Sequence, residues 1–245
     1  MIVRLSQETR IQEVRHNYSN TFFQKLSRTK IVTYRRAPST HSARQESRAA
    51  TVELLLTRYS RTFAEELGFK TADAPSPLFC LLTAALFSGA RTSHRIATKT
   101  AHILFERGWT SLEKLARTTW EQRLAALDEG GYVRYDERTS TMLGERRQML
   151  VERYGGDMRE LRQLARRNPA RGRVLLKEFK GVGEVGVNIF FREVQLVWLE
   201  LFPFLDKRTL AGAKELGLPA ERKALSAVVR SRRDFVRLVS ALIRV

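Results

Sequence analysis

The sequence predicts an all-α fold, and three observations carry that prediction. From Ala49 to the end of the chain, apolar residues recur three and four positions apart, the spacing that gathers them on one helix face. Alternation of the kind a half-buried strand needs occurs nowhere over a useful length. Gly68, Gly108, Gly130-Gly131 and Gly155-Gly156 fall between the periodic segments, where helices stop.

Taken in order, Val52, Leu55, Leu56, Tyr59 and Phe63 predict one helix, ended by Gly68. Pro75 and Pro77 then introduce an apolar run, Leu78 to Phe87, expected to be a central buried helix. Ser88 to Ser93 breaks it. Ile96, Ala97, Thr100, Ile103 and Leu104 mark the next helix, Thr110-Ser111 opens another, and Leu124 to Leu127 closes a further one. Tyr132-Val-Arg-Tyr135 precedes a helix expected from Thr139 to Tyr154, and a basic helix is expected from Met158 to Arg167. Asn168-Pro169 is an N-cap and first-turn pair. Beyond it, Val187 to Leu201 is apolar enough for a core helix, Asp206 to Leu216 forms another, and Pro219 separates two last helices.

The segment Val174 to Val194 carries the most chemistry. It reads as an amphipathic helix, a tight hairpin at Gly181-Val182-Gly183, and a second helix apolar almost all round. Two glycines one residue apart admit positive φ and leave backbone N–H groups uncovered. Those groups open the second helix, so its positive dipole end points where the hairpin points, a place shaped for a phosphate. The same pattern also describes an ordinary glycine-punctuated helical turn.

Composition narrows the partners. The chain has 245 residues, enough for one large domain or two small ones. Lys and Arg number 44 against 26 acids, a net charge of +18, with a pI near 10.8. Such an excess points to a polyanion, nucleic acid first. Residues 1–50 hold 10 basic and 3 acidic residues, so the excess survives without them. Residues 1–48 read as a basic, poorly ordered extension, polar and turn-rich from Ser39 to Ser47 and with short helical pieces at 11–15 and 21–26. The single cysteine, Cys80, excludes an intramolecular disulfide or a cysteine-ligated cluster. No apolar run approaches the roughly 20 residues that span a bilayer, and Met1-Ile-Val-Arg lacks the apolar core of a secretory signal. The expected location is the cytoplasm, at the nucleoid in a prokaryote, and the expected state is a monomer.

Over residues 51–220 the chain resembles the helix-hairpin-helix DNA glycosylases, the superfamily of endonuclease III. The resemblance rests on an apolar helix followed by Leu86-Phe-Ser-Gly-Ala-Arg-Thr, then Gly-Gly-Tyr-Val-Arg-Tyr, a Phe-Lys-Gly-Val-Gly hairpin, an apolar helix and Leu205-Asp206. In that family the hairpin reads Leu-Pro-Gly-Val-Gly and an aspartate follows about 20–25 residues later; here Asp206 stands 23 positions after Gly183. The resemblance implies two lobes, residues 75–195 forming one and residues 49–74 with 196–245 the other, with a cleft between them. It implies that Lys180, Gly181, Val182, Gly183, Glu184 and Val185 hold duplex DNA, with a monovalent cation on the hairpin carbonyls. It also implies that Asp206 is the catalytic carboxylate. A carboxylate there would stabilise the oxocarbenium-like charge formed as an N-glycosidic bond breaks and orient the attacking water, once the target base has been flipped out. Asp206, with Thr209 three residues on, also fits an N-cap, and one residue serves both roles.

The departures define the expected mechanism. Bifunctional members carry a lysine nucleophile two positions beyond the second hairpin glycine; this chain has Val185 there. A monofunctional, water-using glycosylase of base excision repair is therefore expected, with no required cofactor. Endonuclease III's four cluster cysteines are missing, so no iron–sulfur cluster is expected. Where relatives insert glutamine into the vacated base stack, this chain has Ala90 with Arg91 beside it, so Arg91 is either a solvated loop arginine or a candidate wedge. Tyr132 and Tyr135 fall where the family lines its cleft, and the same aromatics also fit plain core positions. The arginines at 159, 162, 166, 167, 171 and 173 could track phosphates or form a solvated face. His94 and His102 read as ordinary helix residues, and no side-chain metal site is expected. Two other readings remain: a non-catalytic helix-hairpin-helix DNA-binding protein, and a basic protein that binds RNA or anionic surfaces through charge alone.

Overall fold

No glycine or proline occurs between Pro38 and Gly68, so nothing in that stretch forces the backbone out of a helix. In the computed structural model, which describes residues 40–59, 61–89 and 92–244, helix α1 spans Thr40–Arg58. It therefore starts inside the stretch expected to be turn-rich. Val52 and Leu55 bury its apolar side, and Arg48 Nε donates to Gly217 O at 3.2 Å. The helical pieces expected at 11–15 and 21–26 lie outside the described residues.

The helix expected to run on to Phe63 breaks after α1. Thr62 restarts it as α2, Phe63–Glu66, through a capping box: its hydroxyl accepts from Glu65 N and Glu65 accepts from Thr62 N. Then come α3 (Pro75–Gly89), α4 (His94–Glu106), α5 (Leu112–Ala116), α6 (Trp120–Gly130), α7 (Asp136–Tyr154), α8 (Met158–Leu164), α9 (Pro169–Lys177) and α10 (Glu184–Val194). After a 3-10 turn at Leu199–Leu201 follow α11 (Lys207–Glu215), α12 (Arg222–Ser226) and α13 (Arg232–Leu242). Every regular element among the described residues is helical, as the periodicity requires. Ser93, Ser111, Thr119, Asp157, Asn168 and Ser231 cap the helices they precede. No described helix is long and apolar enough to cross a membrane.

Two expected helices are shorter than their apolar or basic runs. The basic one ends at Leu164, because Arg166 and Arg167 turn the chain with φ of 53° and 54° before Asn168 caps α9. The apolar one ends at Val194. The fully buried side-chain amide of Gln195 accepts from Phe204 N at 2.8 Å and donates to Phe204 O at 3.3 Å, which folds the following segment back.

Apolar residues gather into two clusters. The first surrounds α3 and α10, the pair with the most extensive packing, and takes in Leu78, Leu82, Leu86, Val187, Phe190 and Val194. These helices approach closely because position 186 is glycine; a Cβ there would lie 3.2 Å from Ala85 O. The second joins Val52 and Leu55 of α1 with Leu205, Ala213, Leu225, Phe235, Leu238 and Leu242. Phe63 and Leu67 belong to the first cluster rather than the second, so the polypeptide changes cluster between α1 and α2 and not at residue 75. The reason is Glu193. Its buried carboxyl accepts from Phe63 N at 3.0 Å, Ala64 N at 3.3 Å and Ser240 Oγ at 3.2 Å. It thus fastens the start of α2 to α10 and α13.

Candidate functional site

The hairpin is built from beneath. Gly181 has φ of +83°, and a Cβ there would stand 2.4 Å from Leu86 Cδ1 and 3.0 Å from Met142 Sδ. Both the left-handed backbone and the close approach therefore require glycine. Under the hairpin lies Arg146, fully buried, whose Nη1 donates to Leu82 O at 3.3 Å and Nη2 to Lys180 O at 3.2 Å. Burial pushes this guanidinium down to about 9. Val182 is a core residue and turns its side chain away from solvent. Lys180 projects outward and pairs with Glu145 at 2.6 Å.

Gly183 occupies the N-cap position of α10, with no side chain to cover the first turn. Glu184 opens that turn and is held by Lys177 and Arg173, each at 2.6 Å. These partners, the Lys177 hydrogen bond foremost after which burial opposes and Arg173 assists, keep its carboxyl below the usual range. Val185, next along, is 55% exposed.

Asp206 is an N-cap, as its position before a helix suggests. Its Oδ1 accepts from Thr209 N and from Thr209 Oγ1, both at 2.9 Å. The other oxygen, Oδ2, lies 3.3 Å from Arg192 Nε. Both side chains are largely buried, Asp206 at 7% and Arg192 at 8% exposure. Burial pushes the Arg192 guanidinium below its ordinary value; Asp206 and Glu193 pull the other way. Two residues before Asp206, Phe204 is clamped by Gln195, so the carboxylate is fixed from both sides.

A cavity of about 810 Å³ lies along this aspartate. It is lined from the first cluster by Phe63, Ala97, Ile189 and Phe204, from the second by Leu205, and by Ser240 and Ile243 around α13. Asp206, Arg192, Asn188 and Val185 form its wall, so the start of α10, its last turn and the N-cap of α11 face one space. Arg173, Lys207, Arg208 and Arg222 add positive charge to that lining. Arg173 donates to Asn188 Oδ1 at 3.0 Å and sits 5.2 Å from the Phe191 ring and 5.9 Å from the Phe204 ring.

Among the residues singled out from the sequence, Asp206, Glu184 and Val185 come together here. Tyr132 and Tyr135 do not. Tyr132 is 3% exposed and packs edge-on against Phe87 at 5.5 Å, with the Tyr135 ring at 6.4 Å. Tyr132 is a core residue and the partly buried Tyr135 packs against the same cluster, and neither lines the cavity. Ala90 and Arg91 lie outside the described residues. The arginines before the hairpin are not one phosphate-tracking row: Arg162 is clamped by Glu200 through two contacts of 2.7 Å and by Asp73 at 2.9 Å, whereas Arg173 lines the cavity. His94 also lines it, at the first residue of α4. Cys80 is buried, and burial raises its thiol to about 12, which leaves it without nucleophilic character.

Arg192 and Glu193 are buried charged side chains that periodicity concealed. They sit in a helix that is otherwise apolar almost all round. Charges on such a helix are buried, and buried charges need partners; that was the available signal. No group of His, Cys, Asp and Glu able to hold a metal occurs among the described residues. Comparison with known protein families, with curated proteins and with solved structures returned no match for this chain.

Proposed function

We propose that this chain is a helix-hairpin-helix DNA glycosylase that uses water to hydrolyse the N-glycosidic bond of a damaged or mispaired base in duplex DNA. The observation that carries the reading is Asp206, fixed at the N-cap of α11 on the wall of a cavity of about 810 Å³ that the start of α10 also lines. In this reading the amide that follows Gly183, at the start of α10, receives a backbone phosphate, and the flipped nucleotide enters the cavity. Asp206 stabilises positive charge at the sugar C1′ and orients water towards it. Val185 has no nucleophilic atom, so the sugar is left as an intact abasic site.

A second reading, a DNA-binding protein without catalysis, is favoured by one observation: both oxygens of Asp206 are already engaged, one by Thr209 and one by Arg192. The test is base release from duplexes that each contain one lesion, with strand breakage read before and after alkali, beside Asp206→Asn. Breakage that needs alkali and is lost in the variant supports the water-using glycosylase. Tight duplex binding with no base released from any lesion supports the non-catalytic protein.

A further inference from the structure

Arg192 is satisfied on one side only. Its Nε lies 3.3 Å from Asp206 Oδ2 and donates to Asn188 O at 3.3 Å. Its Nη1 is buried and has no hydrogen-bond partner, although the residue lines the cavity beside Asp206 and Asn188. A buried guanidinium N–H without an acceptor is unfavourable, so a ligand that fills this cavity gains by presenting an oxygen there. The lining is also cationic: Arg173, Arg192, Lys207, Arg208 and Arg222 outnumber Glu184, Glu193 and Asp206. Glu193 is moreover taken up by Phe63 N, Ala64 N and Ser240.

We infer, resting on the glycosylase reading above, that Arg192 donates from Nη1 to a carbonyl oxygen of the flipped base and stabilises its departure, so that the site acts on neutral, oxo-bearing bases. The C1′–N bond breaks and its electron pair goes to the base, which leaves as an anion with charge spread onto its exocyclic carbonyl oxygens. A water oxygen bonds to C1′, and the proton that water loses ends on the base nitrogen. Asp206 faces the cationic sugar and Arg192 the anionic base, so the two charges of the ion pair match the two charges that separate in the transition state. A cationic alkylated base leaves as a neutral molecule. It needs no such donor and is repelled by this lining.

The experiment is single-turnover base release by the full chain. Oxo-bearing substrates are duplexes containing uracil, thymine glycol or 8-oxoguanine; cationic ones contain 7-methylguanine or 3-methyladenine. The expected result is release of at least one oxo-bearing base and of neither cationic one. Arg192→Gln should then slow release of that base by about 100-fold, the scale of a lost transition-state donor. It should slow release of an electron-poor, halogenated analogue of the same base by under about tenfold, because a better leaving group needs less help. An equal loss on both would show a structural role and overturn the inference. Release of cationic bases alone would overturn it and leave the glycosylase reading intact. Release of no base at all, with duplex binding retained, would overturn both. If Arg192→Gln does not fold, the comparison of neutral with cationic bases in the unchanged protein decides the matter.

Discussion

Arg192 and Asp206 form a buried ion pair, Nε to Oδ2 at 3.3 Å, in which the aspartate also caps α11. The cap and the pair draw on different oxygens, so substitutions separate them. Asp206→Asn keeps an oxygen for Thr209 but removes the charge facing Arg192; Asp206→Ala removes both. Leaving a buried charge without its partner costs about 3–5 kcal/mol, and loss of a cap adds about 1 kcal/mol. Urea unfolding should therefore rank the wild type above Asn and Asn above Ala. Adding Arg192→Met to Asp206→Asn should recover part of the loss, and strict additivity in that double-mutant cycle would show that the pair is not coupled.

Gly181→Ala tests the hairpin. The substitution must adopt φ of +83° and place a methyl 2.4 Å from Leu86 Cδ1. Backbone strain and overpacking each cost about 1–3 kcal/mol, and the hairpin would shift off Arg146 to relieve them. The expected result is a lower unfolding midpoint together with weaker duplex binding. Gly183 has open space around it, and Gly183→Ala should leave stability nearly unchanged.

These positions also mark how far the sequence could be read. Helix existence and order followed from apolar spacing, and the cap of Asp206 followed from Thr209 three residues on. The break at Thr62 was written as Thr-x-x-Glu but lay inside a continuous apolar period that hid it. Gln195, at the end of an apolar run, gave no sign that its amide would turn the chain, because its partner is the backbone of Phe204. Tyr132 could be read either way, because an aromatic side chain serves a core or a cleft equally well, and only the surrounding helices decide for the core. The Arg192–Asp206 pair could not be read at all, since it joins positions 14 residues apart through a turn whose course Gln195 sets.

Glu193 predicts a pH dependence of stability. Burial raises its pKa above the usual 4.5, against the hydrogen bonds from Phe63, Ala64, Thr62 and Ser240 that lower it. A raised carboxyl holds its proton more tightly in the folded protein than in the unfolded chain. Its contribution to stability is full below about pH 4.5 and declines as pH rises through the raised folded value. The difference in unfolding free energy between wild type and Glu193→Gln should accordingly fall over that window and then level off. A difference that rises with pH would mean that the hydrogen bonds outweigh burial.

Val185 stands on the cavity wall, one residue beyond the first residue of α10. Val185→Lys would place an amine where a flipped sugar is expected. The cationic neighbours Arg173 and Arg192 would favour the neutral, nucleophilic amine. With an abasic or lesion-containing duplex, borohydride should trap a covalent complex with the variant and none with the wild type. Failure to trap, in a variant that still releases base, would place the sugar away from position 185.

Gln195 is the residue through which the backbone before Asp206 is fixed. Its Nε2 donates to Arg192 O at 3.0 Å and to Phe204 O at 3.3 Å, and its Oε1 accepts from Phe204 N at 2.8 Å. No solvent reaches it, so these groups have no alternative partner. Gln195→Leu keeps similar volume but strands the N–H and C=O of Phe204, at about 1–3 kcal/mol for each unmet group. Asp206, two residues on, then loses its fixed position. The hairpin lies elsewhere, so duplex affinity should hold while the single-turnover rate falls. Gln195→Glu makes a sharper test. A carboxylate retains the acceptor for Phe204 N but sets its second oxygen against two carbonyls, whereas a protonated carboxyl can donate to one of them. The Glu variant should therefore regain stability and rate as pH is lowered, by an amount absent from the wild type and from the Leu variant. Parallel pH profiles for all three proteins would show that the amide at position 195 does not position Asp206.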